Sequence, residues 1–266
     1  MSHLDELENQ SIYIIREAYS RFRKLALLWS IGKDSTAMLW LCRKAFFGKI
    51  PFPVMHIDTS YKFPEIYTFR DTWSRNWGLN MIIEKNTAAL ADGMNHQRGR
   101  FECCNALKTQ TLKNSVAQHG FQALLLAIRR DEHGIRAKER FFSPRNLDQR
   151  WDYQDQPPEL WNLYQSRVTA DHHLRVHPML GWREIDIWEY TEKEKIPTID
   201  LYFAKSGQRY RSIGCAPCCA PVKSNADTIA RIIKELRTTR ESERSGRAQD
   251  KEDSYNMQKL RSLGYM

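Results

Sequence analysis

The stretch SIGKDST at residues 30–36 joins an apolar run to a helical pattern and has the composition of a phosphate-binding turn. Gly32 permits a tight turn, and Lys33 supplies a positive charge. Hydroxyl groups that can donate hydrogen bonds to phosphate oxygens are present at Ser30, Ser35 and Thr36. The spacing differs from that of a Walker loop and from the GxGxxG of a dinucleotide fold. An ordinary strand-to-helix connection, with Asp34 or Ser35 as the helix cap, is the alternative interpretation.

Five of the six cysteines lie in two tight groups, which suggests a metal or cluster site. Cys103 and Cys104 are adjacent, and the segment GCAPCCAP carries Cys215, Cys218 and Cys219. Thiolates at such short separations are ligands for zinc and for iron–sulfur clusters. Zinc fits a cysteine pair combined with a CxxC motif, and uncoordinated thiols fit the spacing as well. Cys42 falls within an apolar helical pattern and is expected in the core.

The composition indicates a folded, basic protein. The chain has 266 residues, of which 41% are hydrophobic, and its formal net charge is +9. This charge favours an anionic partner such as a nucleotide, a nucleic acid or an acidic protein. The sequence contains no run of 18 apolar residues and no signal-peptide pattern at its start, so we expect a cytoplasmic protein that does not bind membranes.

Helical and strand patterns alternate along the chain and predict how these groups are positioned. Strand patterns occur at residues 25–29, 52–57, 80–84, 123–128 and 174–177, and helical patterns at 7–23, 36–47, 66–77, 107–119, 184–194 and 227–237. The alternation predicts a doubly wound, mostly parallel α/β sheet with helices on both faces. We expect one α/β domain over residues 1–200, with an irregular cysteine-containing segment and charged arm, residues 201–266, packed on it. SIGKDST would lie beyond the carboxyl end of the first strand, where such sheets bind ligands.

Several segments together resemble a known family. SIGKDST resembles the pyrophosphate loop of the adenine nucleotide alpha hydrolase-like superfamily, whose ATP pyrophosphatases cleave ATP between the α and β phosphates. The segments KIPFPVMHIDTSYKFPEIYTFRD, AIRRDEHGIRAKER and SNADTIARIIKELRTTRESERSGRAQD resemble the phosphoadenylylsulfate reductase and sulfate adenylyltransferase small-subunit family. The likeness follows the family order over nearly the whole chain and implies an ATP-dependent nucleotidyltransferase-type enzyme.

The resemblance also implies roles for individual residues. The loop would hold the β and γ phosphates of Mg²⁺-ATP through Ser30, Gly32, Lys33, Asp34, Ser35 and Thr36. The end of the second strand would approach the nucleotide through His56, Asp58 and Thr59, and an arginine motif at the end of a later strand would supply Arg129, Arg130 and Asp131. Lys33, Asp34, Arg129 and Arg130 would be catalytic. The basic residues Arg136, Lys138 and Arg140 would line an anion entrance.

The cysteines depart from the adenylyltransferase pattern. The final residues KLRSLGYM lack the catalytic cysteine of the related reductases, whereas a cysteine pair upstream of a CxxC resembles the cluster pattern of adenylylsulfate reductases. That resemblance implies a [4Fe-4S] cluster bound by Cys103, Cys104, Cys215 and Cys218, with Cys219 as a substitute ligand or a persulfide carrier. Zinc is the alternative.

Three enzymatic functions follow, together with a non-catalytic nucleotide-binding scaffold. The favoured prediction is activation of DNA backbone phosphate for phosphorothioate modification, with sulfur supplied by a cysteine desulfurase; the positive charge suits a DNA substrate. The alternative is a sulfate adenylyltransferase small subunit that works with a GTPase large subunit. An adenylylsulfate reductase-like enzyme is the second alternative, although the chain lacks that reaction's nucleophile.

Overall fold

The central sheet is built from the short apolar runs of the sequence. The computed structural model describes residues 1–166, 173–248 and 256–265. Its six strands are β1 (Leu25–Leu28), β2 (Val54–Ile57), β3 (Met81–Glu84), β4 (Ala123–Leu125), β5 (Phe142–Arg145) and β6 (His173–Val176). All residues of β1, β2, β4 and β6 are buried, as expected for strands covered on both faces.

The strand order is β3-β2-β1-β4-β6-β5. All pairs are parallel except β5 with β6, so the predicted mostly parallel sheet is confirmed. Leu27 pairs with Val54 on one side and with Leu125 on the other. The connections that leave β1 and β4 therefore run to opposite sides, which opens a crevice beyond their carboxyl ends.

Helices flank the sheet. They are α1 (His3–Arg21), α2 (Lys33–Ala45), α3 (Pro64–Asn76), α4 (Thr87–Ala91), α5 (Arg100–Cys104), α6 (Thr111–His119), α7 (Glu184–Glu194), α8 (Ile229–Leu236) and α9 (Asn256–Ser262). In the part of the chain that the structure describes, no helix is long and apolar enough to cross a membrane. Residues beyond position 200, including Tyr202, Ile232 and Ile233, belong to the same hydrophobic core as the strands.

Three elements differ from the pattern-based expectation. Strand β5 lies in a basic stretch and contains Pro144, which an edge strand tolerates because its N–H is not needed there. The helix expected at residues 107–119 is instead a π-helix (Asn105–Gln110) followed by α6, and it is preceded by α5, which carries the cysteine pair. A small antiparallel hairpin, β7 (Gln208–Arg209) with β8 (Val222–Lys223), leads into and out of the second cysteine group.

Candidate nucleotide site

The phosphate loop connects β1 to the N-terminus of α2 at the crevice. Gly32 occupies the N-cap position and has no side chain to cap the helix. The N–H of Lys33 donates to Tyr202 Oη, so the amides of Asp34 and Ser35 are the ones that can face a ligand. Ile31 adopts φ = 68°. A β-branched residue rarely has a positive φ, and strain of this kind is concentrated at functional sites. The loop is therefore held in a conformation that local sequence preference does not favour.

The hydroxyl groups of the loop divide into two sets. Ser30 Oγ and Ser35 Oγ lie 2.9 Å apart, and both residues line the crevice. Thr36 Oγ1 instead accepts a hydrogen bond from Trp29 Nε1 at 3.1 Å inside the core. The structure therefore brings Ser30 and Ser35 to the predicted phosphate position and turns Thr36 away from it. The Thr36 hydroxyl fastens the loop to its own strand.

Lys33 and Asp34 begin α2 and belong to a buried network of charges. Lys33 Nζ contacts Asp34 Oδ2 at 3.2 Å and Glu243 Oε1, and its backbone N–H donates to Tyr202 Oη at 2.9 Å. Burial opposes the charged ammonium, but the carboxylates of Asp34 and Glu243 raise the pKa of Lys33 above its usual value. Lys33 is therefore a permanent cation at the edge of the crevice.

Arg129 lies beneath the loop and is surrounded by carboxylates. It is completely buried, and its guanidinium contacts Asp34 Oδ1 and Asp131 Oδ1, each at 2.7 Å, as well as Glu243 Oε2. Asp131 Oδ2 also accepts a hydrogen bond from the backbone N–H of Glu184 at 2.8 Å. The three carboxylates occupy the guanidinium, so Arg129 organises the loop from below.

Arg130 points to a different part of the molecule. Its guanidinium stacks 5.3 Å from the ring centre of Phe141 and donates a 3.4 Å hydrogen bond to the carbonyl of Glu139. Both arginines lie in the irregular segment that follows β4 (Ala123–Leu125), where no regular strand geometry fixes the directions of their side chains. Of the four predicted catalytic residues, Lys33 and Asp34 line the cleft, and neither Arg129 nor Arg130 does.

A cleft of about 870 Å³, counting its open mouth, extends from the phosphate loop toward the cysteines. Its apolar wall consists of Leu28, Leu126, Ala127, Ile128 and Ile213, a surface suited to a planar aromatic ring. Six cationic and two acidic side chains also line it: Lys33, Lys62, Lys108, Arg136, Arg244, Arg247, Asp34 and Glu132. The excess of positive charge suits a polyanion such as a nucleotide triphosphate. Of the predicted basic entrance, Arg136 lines the cleft and Lys138 and Arg140 do not.

The polar residues after β2 have structural partners. His56 is completely buried, and its Nδ1 lies 2.9 Å from the carbonyl oxygen of Trp29. Asp58 Oδ1 accepts hydrogen bonds from the Ser60 N–H at 2.8 Å and from Tyr67 Oη at 3.0 Å. Thr59 Oγ1 lies 3.1 Å from Cys215 Sγ. None of the three lines the cleft, so this predicted group supports the site from behind.

Buried histidines make the stability of the fold depend on pH. Burial lowers the pKa of His56 to about 4 and that of His173 to about 3. The unfolded chain takes up a proton on each of them near pH 6.5 while the folded protein does not, so stability falls as the pH drops below 6.5. We expect His173→Asn to reduce the slope of unfolding free energy between pH 6 and 5 by about 1.4 kcal/mol per pH unit. Urea titrations of wild type and the variant across this range measure the slope, and equal slopes in the two proteins would refute the assignment.

The two cysteine groups approach each other behind the cleft. Burial, together with the nearby sulfurs of Cys104, Cys215 and Cys218, raises the pKa of Cys103 to about 12. Burial would also raise the pKa of Cys215, but Lys108 and Lys62 lower it to about 6. Cys219 makes its own hydrogen bonds. Its Sγ accepts one from Gly214 N at 3.1 Å and one from Arg247 Nη1 at 3.0 Å.

The spacing of the thiols bears on the two metal hypotheses. Within residues 1–166, 173–248 and 256–265, no three His, Cys, Asp or Glu side chains are grouped so as to hold a single metal ion. A tetrahedral zinc site requires sulfurs only about 3.8 Å apart, given a Zn–S distance of about 2.3 Å, so the predicted zinc alternative receives no support. An iron–sulfur cubane spreads its four thiolates more widely, and the neighbouring lysines would offset its negative charge.

Several residues of the site carry no motif that sequence patterns single out. Glu243, Arg244 and Arg247 come from a charge-rich segment that is indistinguishable in composition from a solvated surface. Lys62 and Lys108 flank Cys215, and Lys108 Nζ lies 3.3 Å from Tyr265 Oη. The π-helix that carries Lys108 is a form concentrated at functional sites, but its backbone cannot be read from sequence.

Comparison with known proteins agrees with this geometry. A family model described as the phosphoadenosine phosphosulfate reductase domain matches residues 24–221. The sulfate adenylyltransferase subunit 2 of Pseudomonas putida is 41% identical over 300 residues, which cover 100% of this chain and 98% of that protein. The sulfate adenylyltransferase subunit 2 of Myxococcus xanthus is 40% identical and covers 99% of this chain and 97% of its own length.

Solved structures share the fold at low sequence identity. The phosphoadenylyl-sulfate reductase of Candida auris aligns with a TM-score of 0.56 at 15% identity, over 84% of this chain and 98% of that chain. An FMN adenylyltransferase of Candida glabrata, solved with FAD and inorganic pyrophosphate, gives a TM-score of 0.59 at 15% identity, over 82% of this chain and 64% of that chain. Both likenesses support the adenine nucleotide alpha hydrolase-like fold predicted from the sequence.

Proposed function

Because the chain belongs to the phosphoadenosine phosphosulfate reductase domain family, we propose that it transfers the adenylyl group of ATP to sulfate, as the small subunit of a sulfate adenylyltransferase. It is an enzyme of the ATP pyrophosphatase and nucleotidyltransferase type. The observation that carries the proposal is the full-length similarity to sulfate adenylyltransferase subunits, combined with a phosphate loop that faces a cation-lined cleft.

The proposed reaction needs a fixed leaving group and a shielded nucleophile. An oxygen of sulfate attacks the α phosphorus of ATP, the bond from that phosphorus to the α–β bridging oxygen breaks, and pyrophosphate leaves with the bonding electrons. Negative charge then grows on pyrophosphate, where the N-terminus of α2 and the ammonium of Lys33 stabilise it. Ser30 and Ser35 supply hydroxyl donors to the same phosphates.

The positive charges of the cleft suit the second substrate. Sulfate and ATP are both anions, so they repel each other before they react. Lys62, Lys108 and Arg247 line the part of the cleft beside the second cysteine group and offset that repulsion. The phosphates themselves supply most ligands of Mg²⁺ in such enzymes, and Asp34 and Glu132 are the carboxylates on the cleft surface that can complete its shell.

The same comparisons bear on the competing functions and on partners. Relatives named as sulfate adenylyltransferase subunits favour sulfate as the acceptor over DNA phosphate, and they give no support to a cysteine desulfurase partner. The name subunit 2 implies a second, larger subunit, which we propose as the partner of this chain. A GTPase in that role would drive an equilibrium that disfavours adenylyl sulfate.

Genetic complementation tests the acceptor. A bacterial strain that lacks the sulfate adenylyltransferase small subunit cannot grow on sulfate, and this chain expressed with its own large subunit should restore growth. Growth on sulfite serves as the positive control, because it bypasses activation. Failure to rescue despite soluble expression of both subunits would contradict sulfate as the acceptor.

We also propose a [4Fe-4S] cluster at Cys103, Cys104, Cys215 and Cys218. The mutual effect of these thiols on the pKa of Cys103, and the cations Lys62 and Lys108 around Cys215, support the proposal. A bound cluster would supply an electron-transfer centre and tie α5 to the turn after β7. Cys215 lies beside Lys108, which also lines the cleft, and contacts Thr59 on its other side.

Metal analysis of anaerobically purified protein checks the cluster. We expect about four iron and four sulfide per chain, with a broad absorption band near 400 nm, and we expect Cys215→Ser to lose most of the iron. Cys42→Ala is the matched control, because Cys42 is buried in the main core and should leave iron content unchanged. Iron-free wild-type protein after anaerobic reconstitution, or equal iron in both variants, would exclude this ligand set.

A further inference from the structure

The carboxylate of Glu243 reaches the phosphate loop from the far end of the sequence. Its Oε1 contacts Lys33 Nζ and its Oε2 contacts Arg129 Nη2, so one side chain joins the loop after β1 to the segment after β4. The three residues are 7%, 6% and 0% exposed, respectively. Buried charges are costly unless they are paired, so this is a fixed unit and not a solvated surface contact.

The backbone around Glu243 is anchored on both sides. Upstream, Arg211 Nη1 donates a 2.8 Å hydrogen bond to the carbonyl of Glu241. Downstream, Ala220 N donates to the carbonyl of Gly246 at 2.9 Å, and a Cβ at Gly246 would lie 2.4 Å from the carbonyl oxygen of Ala220. The close approach requires glycine. The position of the Glu243 carboxylate is therefore set by the backbone of this segment and not by the loop it contacts.

The contacts of Lys33 leave one of its donors for a ligand. An ammonium carries three N–H groups, and the structure directs two of them to Asp34 and Glu243. Lys33 and Asp34 line the cleft, whereas Glu243 does not. A negative charge behind Lys33 weakens the binding of phosphates in the ground state, so Glu243 does not serve affinity. What it supplies is a fixed direction for a flexible side chain.

We propose that Glu243 is a positioning residue for adenylyl transfer, which holds Lys33 so that its remaining donor faces the departing pyrophosphate. The inference rests on the proposed function for the reaction, but the contact between Glu243 and Lys33 does not depend on the acceptor. A cation that is already oriented needs no reorganisation as negative charge develops on pyrophosphate. Preorganised groups raise the rate for this reason. The part of the charged segment around Glu243 thereby belongs to the site.

Steady-state kinetics of pyrophosphate release with ATP and sulfate test the role. We expect Glu243→Gln to lower kcat by about 10- to 100-fold while the KM for ATP stays equal or falls, because misplacing a group by about 1 Å costs up to about 100-fold. Glu243→Asp keeps the charge and should recover part of the loss. Glu241→Gln, the same change at an exposed position two residues away, should match wild type. Unchanged kcat in Glu243→Gln, or a parallel loss of kcat, ATP affinity and melting temperature, overturns the proposal.

Binding of adenosine 5′-(α,β-methylene)triphosphate separates this inference from the proposed reaction. Calorimetric Kd values are measured for wild type, Lys33→Ala, Glu243→Gln and the double variant. We expect Lys33→Ala to weaken binding at least about threefold more in the wild-type background than in the Glu243→Gln background, since coupled neighbours are not additive. Non-additivity in a protein that makes no adenylyl sulfate would reject the reaction but keep the role of Glu243. Additive effects would reject the role.

Discussion

Replacement of Lys33 by alanine is expected to slow pyrophosphate release by about 10²- to 10³-fold, the loss seen when one preorganised donor is removed from a developing anion. The physical reason is twofold. The variant removes the cation that faces the phosphates, and it leaves the carboxylates of Asp34 and Glu243 without their partner beside the same anions. The rate of pyrophosphate release at saturating ATP, measured with a coupled phosphate assay, reports the effect.

A second lysine variant controls for general loss of positive charge. Lys49 follows α2 and is exposed, so Lys49→Ala removes one charge of the same type outside the cleft. The rate of pyrophosphate release by Lys49→Ala should stay within about twofold of wild type, because solvent and salt screen an exposed charge outside the cleft. Undiminished pyrophosphate release by Lys33→Ala would show that the loop does not act on the leaving group.

Replacement of Arg129 by alanine should destabilise the whole protein. The guanidinium has no exposed surface and contacts Asp34, Asp131 and Glu243, so its removal leaves three carboxylates without the cation they surround. Breaking a buried ion pair by removing one partner costs about 3–5 kcal/mol. Urea unfolding monitored by circular dichroism should show a midpoint shift of corresponding size, and pyrophosphate release should fall with it.

The neighbouring arginine provides the contrast. Arg130 lies over Phe141 and makes one long hydrogen bond to the carbonyl of Glu139, so Arg130→Ala should cost about 1 kcal/mol or less. We also expect its ATP turnover to stay within about threefold of wild type, because its guanidinium does not reach the cleft. A large loss of turnover in Arg130→Ala with normal stability would mean that this arginine swings toward the nucleotide during the reaction.

The sheet and the loop were predictable because their signals are local. Continuous apolar runs such as residues 25–29 bury on both faces of a parallel sheet, and a glycine-containing polar turn after such a run places a ligand site at the strand end. Helix α7 matches the predicted range 184–194, since Lys195 adopts a left-handed conformation that ends it. Several segments that resemble the family, and that follow the family's order along the chain, then indicated the fold class.

The contacts within the site were not predictable, because they depend on side-chain direction and on distant partners. Residues 129 and 130 are both arginine, so the sequence does not distinguish them. The fold determines that Arg129 lies beneath the loop. Thr36 has a hydroxyl that could bind phosphate and lies in the phosphate loop, but this hydroxyl accepts a hydrogen bond from Trp29 Nε1 inside the core. Glu243 lies 210 positions from Lys33, and no periodic pattern links the two.

The most direct test of the central claim is to follow the adenylyl group itself. The chain, purified with its large-subunit partner, is incubated with ATP labelled at the α phosphate, with and without sulfate, and inorganic pyrophosphatase is added to remove the product. We predict that the label appears in adenylyl sulfate, that one pyrophosphate is released for each adenylyl sulfate formed, and that neither is produced without sulfate. Label that remains in ATP under both conditions, or AMP released at the same rate without sulfate, would contradict adenylyl transfer to sulfate.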